Sequence, residues 1–496
     1  MMRKVPGFPT AGHALLTILF IGVNVIMCFH NVDNAKLSNF AARFGWMSAA
    51  NIALCVFFGL KNTPLGVLTG HSYERLNFFH RLSGYAAVLQ MVLHAIVYMV
   101  YYANQNRWSV LLEDQNWQGI VAGIAMLVLL LGLARNLGYE WFYVSHLIGF
   151  LIAVIFTGLH RPYWVWKIPV AMVFAAAIWG CDRLIRGSRM LYNLVNNSAT
   201  LYQLPDGGVR MTIKKPLPGA VPGSHCFVWI PGIRPFQTHP FTIVSNTKEA
   251  GLELVFSSYS GFTKAVYDHA GQKPGTSVRV SVDGPYGSFP NPKNYDKVVL
   301  IGGGSGATFT FGLATSLLQH LESNTDTRVD FIWAVRKKEN LEWFADHLQS
   351  LSRHGSGMNI ALHVTRENSL VSLSDSPEPK PPVPSPQTAP KEIAGSGSPG
   401  PILASRNWEK VPGPVVEPVF QDSGLQDLES LCDIKYDKLK AEEAIVQTLQ
   451  SVASGQRVLV AACGPRSLTN VVQTAAARCI SSSEGSIEVH CETFGW

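Results

Sequence analysis

Apolar runs of near membrane-spanning length fill the first 190 residues, and shorter alternating stretches follow them. An α-helix needs about 20 mostly apolar residues to cross a bilayer. Six runs approach that length, at roughly 12–31, 44–61, 80–102, 118–136, 141–160 and 164–182. The first run is long and no small-residue cleavage site follows it, so we interpret it as a retained helix rather than a signal peptide. The sequence therefore predicts a first domain, residues 1–190, with six transmembrane helices.

Basic residues near the ends of the runs predict the orientation of the helices, because cytosolic loops carry an excess of Lys and Arg. One side would carry Arg3, Lys4, Lys61, Arg75, Arg81, Arg135, Arg183, Arg186 and Arg189. The opposite side would carry Lys36, Arg43, Arg107, Arg161 and Lys167. The excess predicts that the N-terminus and everything after the sixth helix lie in the cytosol.

The pattern of apolar and polar residues after residue 190 predicts two further domains. Residues 191–292 alternate apolar and polar positions between Gly/Pro turns, which indicates a small antiparallel β-barrel. Residues 293–496 open with an apolar strand, a Gly-rich turn and a helix, the start of a parallel, doubly wound α/β sheet. Pro, Ser, Gly and Lys dominate a stretch at about 368–420, which we interpret as a disordered insertion. A linker between independent domains is the weaker alternative, because the strand-like RVLVAACGP at 457–465 still needs a sheet to join.

Composition narrows the classes of function. Hydrophobic residues make up 47% of the chain and charged residues 15%, against roughly 25% charged in a typical soluble domain. The net charge of +6 is mild and the basic residues are scattered, so we expect no nucleic-acid partner. Cys28, Cys55 and Cys181 fall inside apolar runs, where a small buried residue is the simplest interpretation. The eight cysteines form no CxxC pair and predict no disulfide framework.

Four histidines inside the third and fifth predicted helices form two pairs with identical spacing. His80 and His94 lie 14 residues apart, and so do His146 and His160. On an α-helix that separation is a rise of about 21 Å and a rotation about 40° short of four turns, so both members of a pair face one way. The two helices run in the same direction, which puts His80 level with His146 near the cytosol and His94 level with His160 near the outer face. Two opposed imidazoles at each of two depths are what two six-coordinate haems require.

Other interpretations of these residues stay open from the sequence. Each histidine could be a polar group satisfied inside the bundle, although two equally spaced pairs make that weaker than for one histidine. A zinc site would need its ligands at one depth rather than two. His71 lies in a predicted cytosolic loop and is interpreted as structural. Arg75, Arg81 and Arg161 would either neutralise haem propionates or serve as interfacial anchors.

Short motifs in the predicted barrel indicate a flavin site. HPFTIVSN at 239–246 would put a hydroxyl, backbone amides and an aromatic ring near an isoalloxazine. SGFTK at 260–264 adds small residues and Lys264 for a pyrophosphate, and VDGPYGSF at 282–289 closes the barrel. His-Pro-Phe-Thr is short enough to occur by chance, so its weight depends on these neighbours.

The predicted α/β domain carries the signals of a nicotinamide nucleotide site. In KVVLIGGGSGATFTFGL at 297–313, a strand runs into Gly302, Gly303, Gly304, Ser305 and Gly306, and a helix begins after them, as a pyrophosphate site requires. The next strand ends in Arg336-Lys337-Lys338, and a base there favours the 2′-phosphate of NADPH. A solvated charge run is the alternative. LVAACGPRSL would bring Cys463 and Gly464 near the nicotinamide, and Phe494 near the C-terminus would either cover the flavin or complete the core.

As an ordered set, the two His-x13-His pairs, HPFT, GGGSG, CGP and the terminal ETFGW resemble the ferric reductase and NADPH oxidase superfamily. LTGHSYERLNFFHRLSGY and the FGW ending resemble its fungal metalloreductases. The resemblance runs from about residue 40 to 496 apart from the insertion. It implies a six-helix haem-binding membrane bundle followed by a ferredoxin-reductase-like module, with an antiparallel β-barrel FAD domain and an α/β NADPH domain.

The resemblance also implies roles for particular residues. FAD would be held by His239, Pro240, Phe241, Thr242 and Lys264, with Phe494 as its cover. NADPH would be held by Gly302, Gly303, Gly304, Ser305, Gly306, Arg336, Cys463 and Gly464. Two b-type haems would take His80, His94, His146 and His160 as iron ligands, and no side chain would act as acid, base or nucleophile.

The implied activity is electron transfer from cytosolic NADPH to a ferric or cupric chelate outside the membrane. Such an enzyme would support iron or copper uptake beside a metal permease, in the plasma membrane or else a vacuolar membrane. The alternatives are a superoxide-generating NADPH oxidase and a non-enzymatic membrane scaffold. Oxidases of this superfamily have a substantial outer loop between the fifth and sixth helices, whereas only about residues 161–163 separate the two here. That difference favours a bulky metal chelate as the acceptor.

Overall fold

The computed structural model describes residues 8, 11–33, 35–69, 72–132, 139–161, 166–323, 327–353, 357–366, 432–450, 452–480 and 483–493. His71, the predicted insertion at 368–420 and the C-terminal residues Phe494 and Trp496 lie outside these ranges. Statements about absent contacts below refer to the described ranges alone.

Within the described ranges, six helices are long and apolar enough to cross a membrane, as the sequence predicts. They are α1 (Ala11–Phe29), α2 (Leu37–Gly59), α4 (Tyr73–Asn104), α5 (Asp114–Leu129), α6 (Tyr139–Leu159) and α7 (Lys167–Leu194), with a short α3 (Pro64–Thr69) after α2. Both α4 and α7 extend beyond their apolar runs at the ends that contact the soluble half, where α7 packs on a strand and Arg75 of α4 lies 3.0 Å from His490. The apolar run alone therefore underestimated their length.

The two histidine-bearing helices pack on other helices rather than on each other. Helix α4 lies along α2, while α6 lies along α5 and α7. Polar groups join α2 to α4, where Ser48 Oγ donates to the Ala87 carbonyl over 2.8 Å and Asn51 Nδ2 donates to Gln90 Oε1 over 2.8 Å. Such bonds suit a bilayer, which offers no water to buried polar groups. Helices α4 and α6 do not pack closely on each other within the described ranges, although side chains of both belong to one apolar cluster.

The first soluble unit is a seven-stranded antiparallel sheet in the order β6-β1-β2-β5-β4-β3-β7. Its strands are β1 (Ser198–Leu204), β2 (Gly208–Ile213), β3 (His225–Trp229), β4 (His239–Thr247), β5 (Gly251–Ser257), β6 (Ser277–Arg279) and β7 (Ser281–Tyr286). One helix, α8 (Phe262–Gln272), packs its apolar face on β1 and β2. The alternation of buried and half-exposed positions in β1 and β2 is the one that the sequence predicts.

The second soluble unit is a six-stranded parallel sheet in the order β11-β10-β9-β8-β12-β13. Its strands are β8 (Lys297–Gly303), β9 (Arg328–Val335), β10 (Met358–Val364), β11 (Asp433–Lys435), β12 (Arg457–Cys463) and β13 (Ser486–Glu492). Its helices are α9 (Ala307–Ser323), α10 (Ala345–Ser352), α11 (Ala441–Gln450) and α12 (Arg466–Ile480). Strand β12 joins this sheet beside β8, so RVLVAACGP completes one sheet rather than a separate domain. Together the elements confirm the predicted multi-domain fold.

An ionic junction joins the membrane helices to the barrel. The carboxylate of Asp283 on β7 is fully buried; its Oδ2 accepts from Arg186 Nε over 2.7 Å, and its Oδ1 lies 2.9 Å from Arg189 Nη2 as an ion pair. Tyr286 Oη donates to the same carboxylate over 2.9 Å. Two cations that the sequence analysis treated only as orientation signals thus hold the end of α7 on the barrel.

Lys61, Glu74 and Arg75 extend this junction. Lys61 Nζ lies 3.0 Å from the ring centre of Phe227, and His225 Nε2 lies 2.8 Å from Glu74 Oε1. Burial, followed by repulsion from nearby arginines, lowers the pKa of Lys61 to about 6. Arg75 Nη2 lies 3.0 Å from His490 Nδ1 on β13, so α4 also contacts the α/β unit. Arg75 is therefore engaged in the soluble half, which argues against its haem propionate interpretation.

Candidate cofactor and electron-transfer sites

The four histidines of the membrane helices meet as two pairs at two depths. The ring centres of His80 and His146 lie 6.2 Å apart, and those of His94 and His160 lie 5.9 Å apart. Helix α4 contributes one ring to each pair; α6 contributes His146, and His160 follows its last residue. The pairing is the one that the common 14-residue spacing predicts.

Backbone carbonyls of neighbouring helices orient three of the four rings. His80 Nδ1 lies 2.9 Å from the Cys55 carbonyl, His94 Nδ1 lies 2.8 Å from that of Ala41, and His160 Nδ1 lies 2.5 Å from that of Gln115. A carbonyl oxygen only accepts, so Nδ1 donates in each bond. The neutral ring then has its Nε2 lone pair free for a metal.

The paired rings fit axial ligands of haem. Two Fe–N bonds of about 2 Å, plus about 1.1 Å from each ring centre to its nitrogen, would separate two rings that share one iron by about 6.2 Å. The observed 6.2 and 5.9 Å lie close to that value. No cluster of three or more His, Cys, Asp or Glu side chains suited to a bare metal ion occurs in the described ranges.

The predicted flavin motifs lie together at one face of the barrel sheet and the start of α8. The His239 ring on β4 stacks on Phe262, with ring centres 4.6 Å apart, and Phe262 is the first residue of α8. Lys264, in the first turn of α8, pairs with Asp268 over 2.6 Å and remains half-exposed. A helix N-terminus with a nearby cation suits a pyrophosphate. HPFT and SGFTK, about twenty residues apart in sequence, therefore converge in space.

The other residues of the HPFT motif contact neighbouring strands of the barrel. Phe241 is buried in the barrel core against Phe256, with ring centres 4.2 Å apart, and Thr242 is buried opposite His225 on β3. Pro240 pairs with Phe227 across the same strands. The Phe241 ring thus packs inward in the described structure, where the sequence analysis expected an aromatic side chain beside the flavin.

The two motifs of the predicted nucleotide site are packed against each other. Strands β8 and β12 are parallel neighbours, so the GGGSG turn after β8 meets the CGP turn after β12. A Cβ at Gly306 would lie 2.5 Å from the Cys463 carbonyl oxygen, so only glycine permits this approach. Trp333 Nε1 donates to the Gly304 carbonyl over 3.1 Å and fixes the turn from β9.

Cys463 reaches the site through its backbone rather than its thiol. Its side chain is fully buried in the core of the parallel sheet, and burial raises the pKa of the thiol well above its usual range. Its carbonyl faces Gly306, and Gly464 follows against Gly303. The thiol is therefore not poised for chemistry.

Arg336 is the free cation of the three basic residues after β9. It is exposed and forms no ion pair within the described residues, whereas Lys337 Nζ pairs with Asp206 over 2.6 Å. The side-chain hydrogen bond from Lys337, with that from Asn340, lowers the pKa of Asp206. The end of β9 lies next to the Gly-rich turn, which suits Arg336 for a 2′-phosphate.

Comparisons with known proteins identify the same three parts. Profiles match the ferric reductase like transmembrane component at residues 44–157, an FAD-binding domain at 193–289 and the ferric reductase NAD binding domain at 295–477. The chain belongs to the ferric reductase family. It is a multi-pass membrane oxidoreductase with an FAD-binding and a NAD-binding domain.

Named proteins of three fungi are similar to this chain. A ferric/cupric reductase transmembrane component 2 of Schizosaccharomyces pombe is 29% identical, with 68% of each chain covered. The ferric reductase transmembrane component 3 of Saccharomyces cerevisiae is 30% identical over 68% of this chain and 48% of its own. A probable cell surface ferric reductase of Aspergillus oryzae is 25% identical over 69% of this chain and 50% of its own. The match thus spans two thirds of one of these relatives and about half of the other two.

Some predictions about single residues change. Cys28 is buried as expected, Cys55 is half-buried beside His80, and Cys181 is exposed on α7, so the buried interpretation of Cys181 is wrong. Its apolar run marks a membrane helix, not which face of that helix meets the bundle. Arg161 lies over the Trp166 ring at 4.2 Å, which suits interfacial anchoring. The possible flavin cover Phe494 lies outside the described residues.

Sequence reasoning missed the ionic junction and the carbonyl partners of the histidines. Asp283 sits in the VDGPYGSF segment, where it looked like an ordinary barrel residue. An acidic residue within a buried strand is the signal that could have marked it, because charges are rarely buried without a partner. The carbonyl partners carry no side-chain signal at all.

Proposed function

We propose that this protein transfers electrons from cytosolic NADPH through FAD and two haems, each held by two histidines, to a ferric or cupric chelate outside the membrane. The observation that supports this proposal best is the two His–His pairs at two depths, on the membrane side of a flavin and nucleotide module. A path of stacked one-electron carriers is the simplest use for such an arrangement. The names of the fungal relatives support a ferric or cupric acceptor.

When bound, FAD splits the two-electron supply of NADPH into single electrons, which haems can carry across the bilayer. The chain's own contribution is binding and orientation. His80 with His146, and His94 with His160, would hold the two irons. The first turn of α8 and the β4 strand would bind FAD. Bis-His ligation leaves no open position on iron, which suits electron transfer rather than oxygen binding.

NADPH would bind at the two turns that pack against each other, GGGSG after β8 and CGP after β12. Gly302–Gly306 and Gly464 would receive the pyrophosphate and nicotinamide, because their backbones approach without side chains in the way. Arg336 would pair with the 2′-phosphate and so favour NADPH over NADH. We further propose a plasma membrane location, with a vacuolar membrane as the alternative, and an iron or copper permease as the consumer of the reduced metal.

Superoxide production is the second candidate, because the same carriers could deliver electrons to O2. One observation favours a chelate: only residues 160–166 connect α6 to α7 on the side of the outer histidine pair. A connection this short leaves little chain to cover that side. If purified enzyme instead gave robust superoxide that ferric chelate did not suppress, the acceptor assignment would be reversed.

The decisive experiment is an anaerobic reduced-minus-oxidised visible spectrum of purified, FAD-supplemented protein after addition of NADPH. We expect low-spin b-type bands that grow with NADPH and collapse when ferric chelate is added. His80→Ala and His94→Ala should each lose one haem, and His30→Ala, an exposed histidine outside the pairs, should lose none. Absent haem bands, or bands that survive both pair variants unchanged, would rule out the transmembrane path.

A further inference from the structure

Three of the four paired histidines share one arrangement on a neighbouring helix. Each ring donates Nδ1–H to a backbone carbonyl and lies against the glycine four residues beyond it. The carbonyl and glycine residues are Ala41 and Gly45 for His94, Cys55 and Gly59 for His80, and Gln115 and Gly119 for His160. The same four-residue step recurs on α2 twice and on α5 once.

Helix geometry explains the step of four. The carbonyl of residue i points along the axis toward the amide of residue i+4, so a ring that approaches this oxygen from the side passes over residue i+4. A Cβ there would lie 2.7 Å from His94 Nδ1 at Gly45, 3.0 Å from His80 Nδ1 at Gly59 and 2.7 Å from His160 Nδ1 at Gly119. Those separations are at or below the closest that carbon and nitrogen tolerate. Glycine is therefore needed for the bond.

The spacing on α2 matches the spacing on α4. Gly45 and Gly59 are 14 residues apart, as are His80 and His94, and the antiparallel helices bring Gly45 to His94 and Gly59 to His80. One face of α2 therefore contacts a histidine of each pair, through Gly45 at one depth and Gly59 at the other. Nothing else about an apolar helix requires glycines at this interval.

The fourth histidine provides a comparison inside the molecule. Fourteen residues after Gln115 comes Leu129, and four residues beyond that the sequence has Leu133, outside the described ranges, instead of glycine. The Nδ1 atom of His146 is buried and lies near the Leu129 carbonyl, but the two do not form a hydrogen bond of full geometry. The complete hydrogen bond is present at the three histidines that have glycine at this position, whereas His146, which lacks it, has the Leu129 carbonyl nearby in a poorer geometry.

We infer that Gly45, Gly59 and Gly119 are positioning residues for haem ligation. They admit the imidazole to a carbonyl that fixes its tautomer and its rotation, so that Nε2 faces the iron site. Both ligands of the outer pair are oriented in this way, but only His80 of the inner pair. The inference rests on the proposed function, because it assumes that the histidines hold haem.

The test is alanine at each glycine, measured by haem content per FAD and by the EPR spectrum of the low-spin ferric haems. His80→Ala and His94→Ala proteins, each with one haem, assign the two signals. We expect Gly45→Ala and Gly119→Ala to weaken retention of the outer haem about 10-fold or shift its signal, with the inner haem kept. Gly59→Ala should do the same to the inner haem alone. The retained haem reports that the bundle has folded.

Gly180→Ala is the matched control, because Gly180 lies within membrane helix α7 and a Cβ there meets no atom within 4 Å. It should keep both haems and both signals. Two haems with unchanged EPR in all three pair-site variants would overturn the inference. Loss of both haems from every one of these variants would also overturn it, because the glycines would then be needed for the folding of the whole bundle rather than for one haem. Wild-type protein without haem would instead refute the proposed function.

Discussion

Replacing Asp283 by asparagine should destabilise the junction between the barrel and the membrane helices. The substitution keeps the shape of the side chain and removes a fully buried negative charge. Arg186, whose side chain is 11% exposed, then loses its charged partner, whereas Arg189, which is 31% exposed, loses the same charge but keeps hydrogen bonds to Asn62 and Tyr286. An uncompensated buried guanidinium is costly because little water reaches it.

The structure sets the expected magnitude. Removing one partner of a buried ion pair costs about 3–5 kcal/mol, and this range applies to Arg186. Arg189 is better solvated, so its loss resembles that of an exposed pair, about 1 kcal/mol or less. We expect about 3 kcal/mol overall, near the lower end because asparagine can still accept one hydrogen bond. At about 2–4 °C per kcal/mol, Tm should fall by about 6–12 °C.

The assay is thermal release of FAD fluorescence from detergent-purified protein at one fixed scan rate. Glu442→Gln is the control, because its ion pair with Arg478 is exposed, with the side chains 55% and 69% accessible. That variant should shift Tm by less than about 2 °C. Adding Arg186→Gln to Asp283→Asn should recover part of the loss, since the double variant no longer leaves the more buried guanidinium without its counter-charge. A Tm for Asp283→Asn within about 2 °C of wild type would refute the reasoning.

Two further predictions concern the soluble half. In steady-state kinetics, Arg336→Ala should raise the KM for NADPH about 10-fold and leave the KM for NADH nearly unchanged. Lys337→Ala should change both KM values little, because Lys337 pairs with Asp206. Equal effects of Arg336→Ala on the two nucleotides would contradict a contact with the 2′-phosphate. Burial alone would raise the pKa of Glu253, but its hydrogen bond with His347 and the charge of Arg210 hold the pKa below its usual range. Because the folded pKa is the lower one, this stabilisation is present above about pH 4.5 and is lost as the pH falls through the folded value. Glu253→Gln should therefore lose less Tm than wild type between neutral pH and pH 4, and an identical decline in both proteins would argue against it.

The sequence alone predicted the elements that depend on local pattern. Apolar length predicted six spanning helices, because a bilayer requires a minimum run whatever the neighbouring helices are. The 14-residue spacing predicted that both histidines of a helix face one way, because helix geometry is local. The strand, Gly-rich turn and helix of 297–313 were likewise readable, since the turn must leave the backbone bare. Even so, α7 was predicted to end at 182 and ends at Leu194.

Only the tertiary structure decided which of these elements meet and what each side chain contacts. Whether Phe241 faces the core or a ligand depends on Phe256, and whether Lys337 is free depends on Asp206, a residue of another unit. Asp283 becomes a junction only when α7 brings two arginines to β7. Gly45 acquires a role only when α4 brings His94 to the carbonyl four residues before it. These are contacts between distant residues, and their energies depend on burial and partner geometry, which no local pattern of hydrophobic and polar positions records.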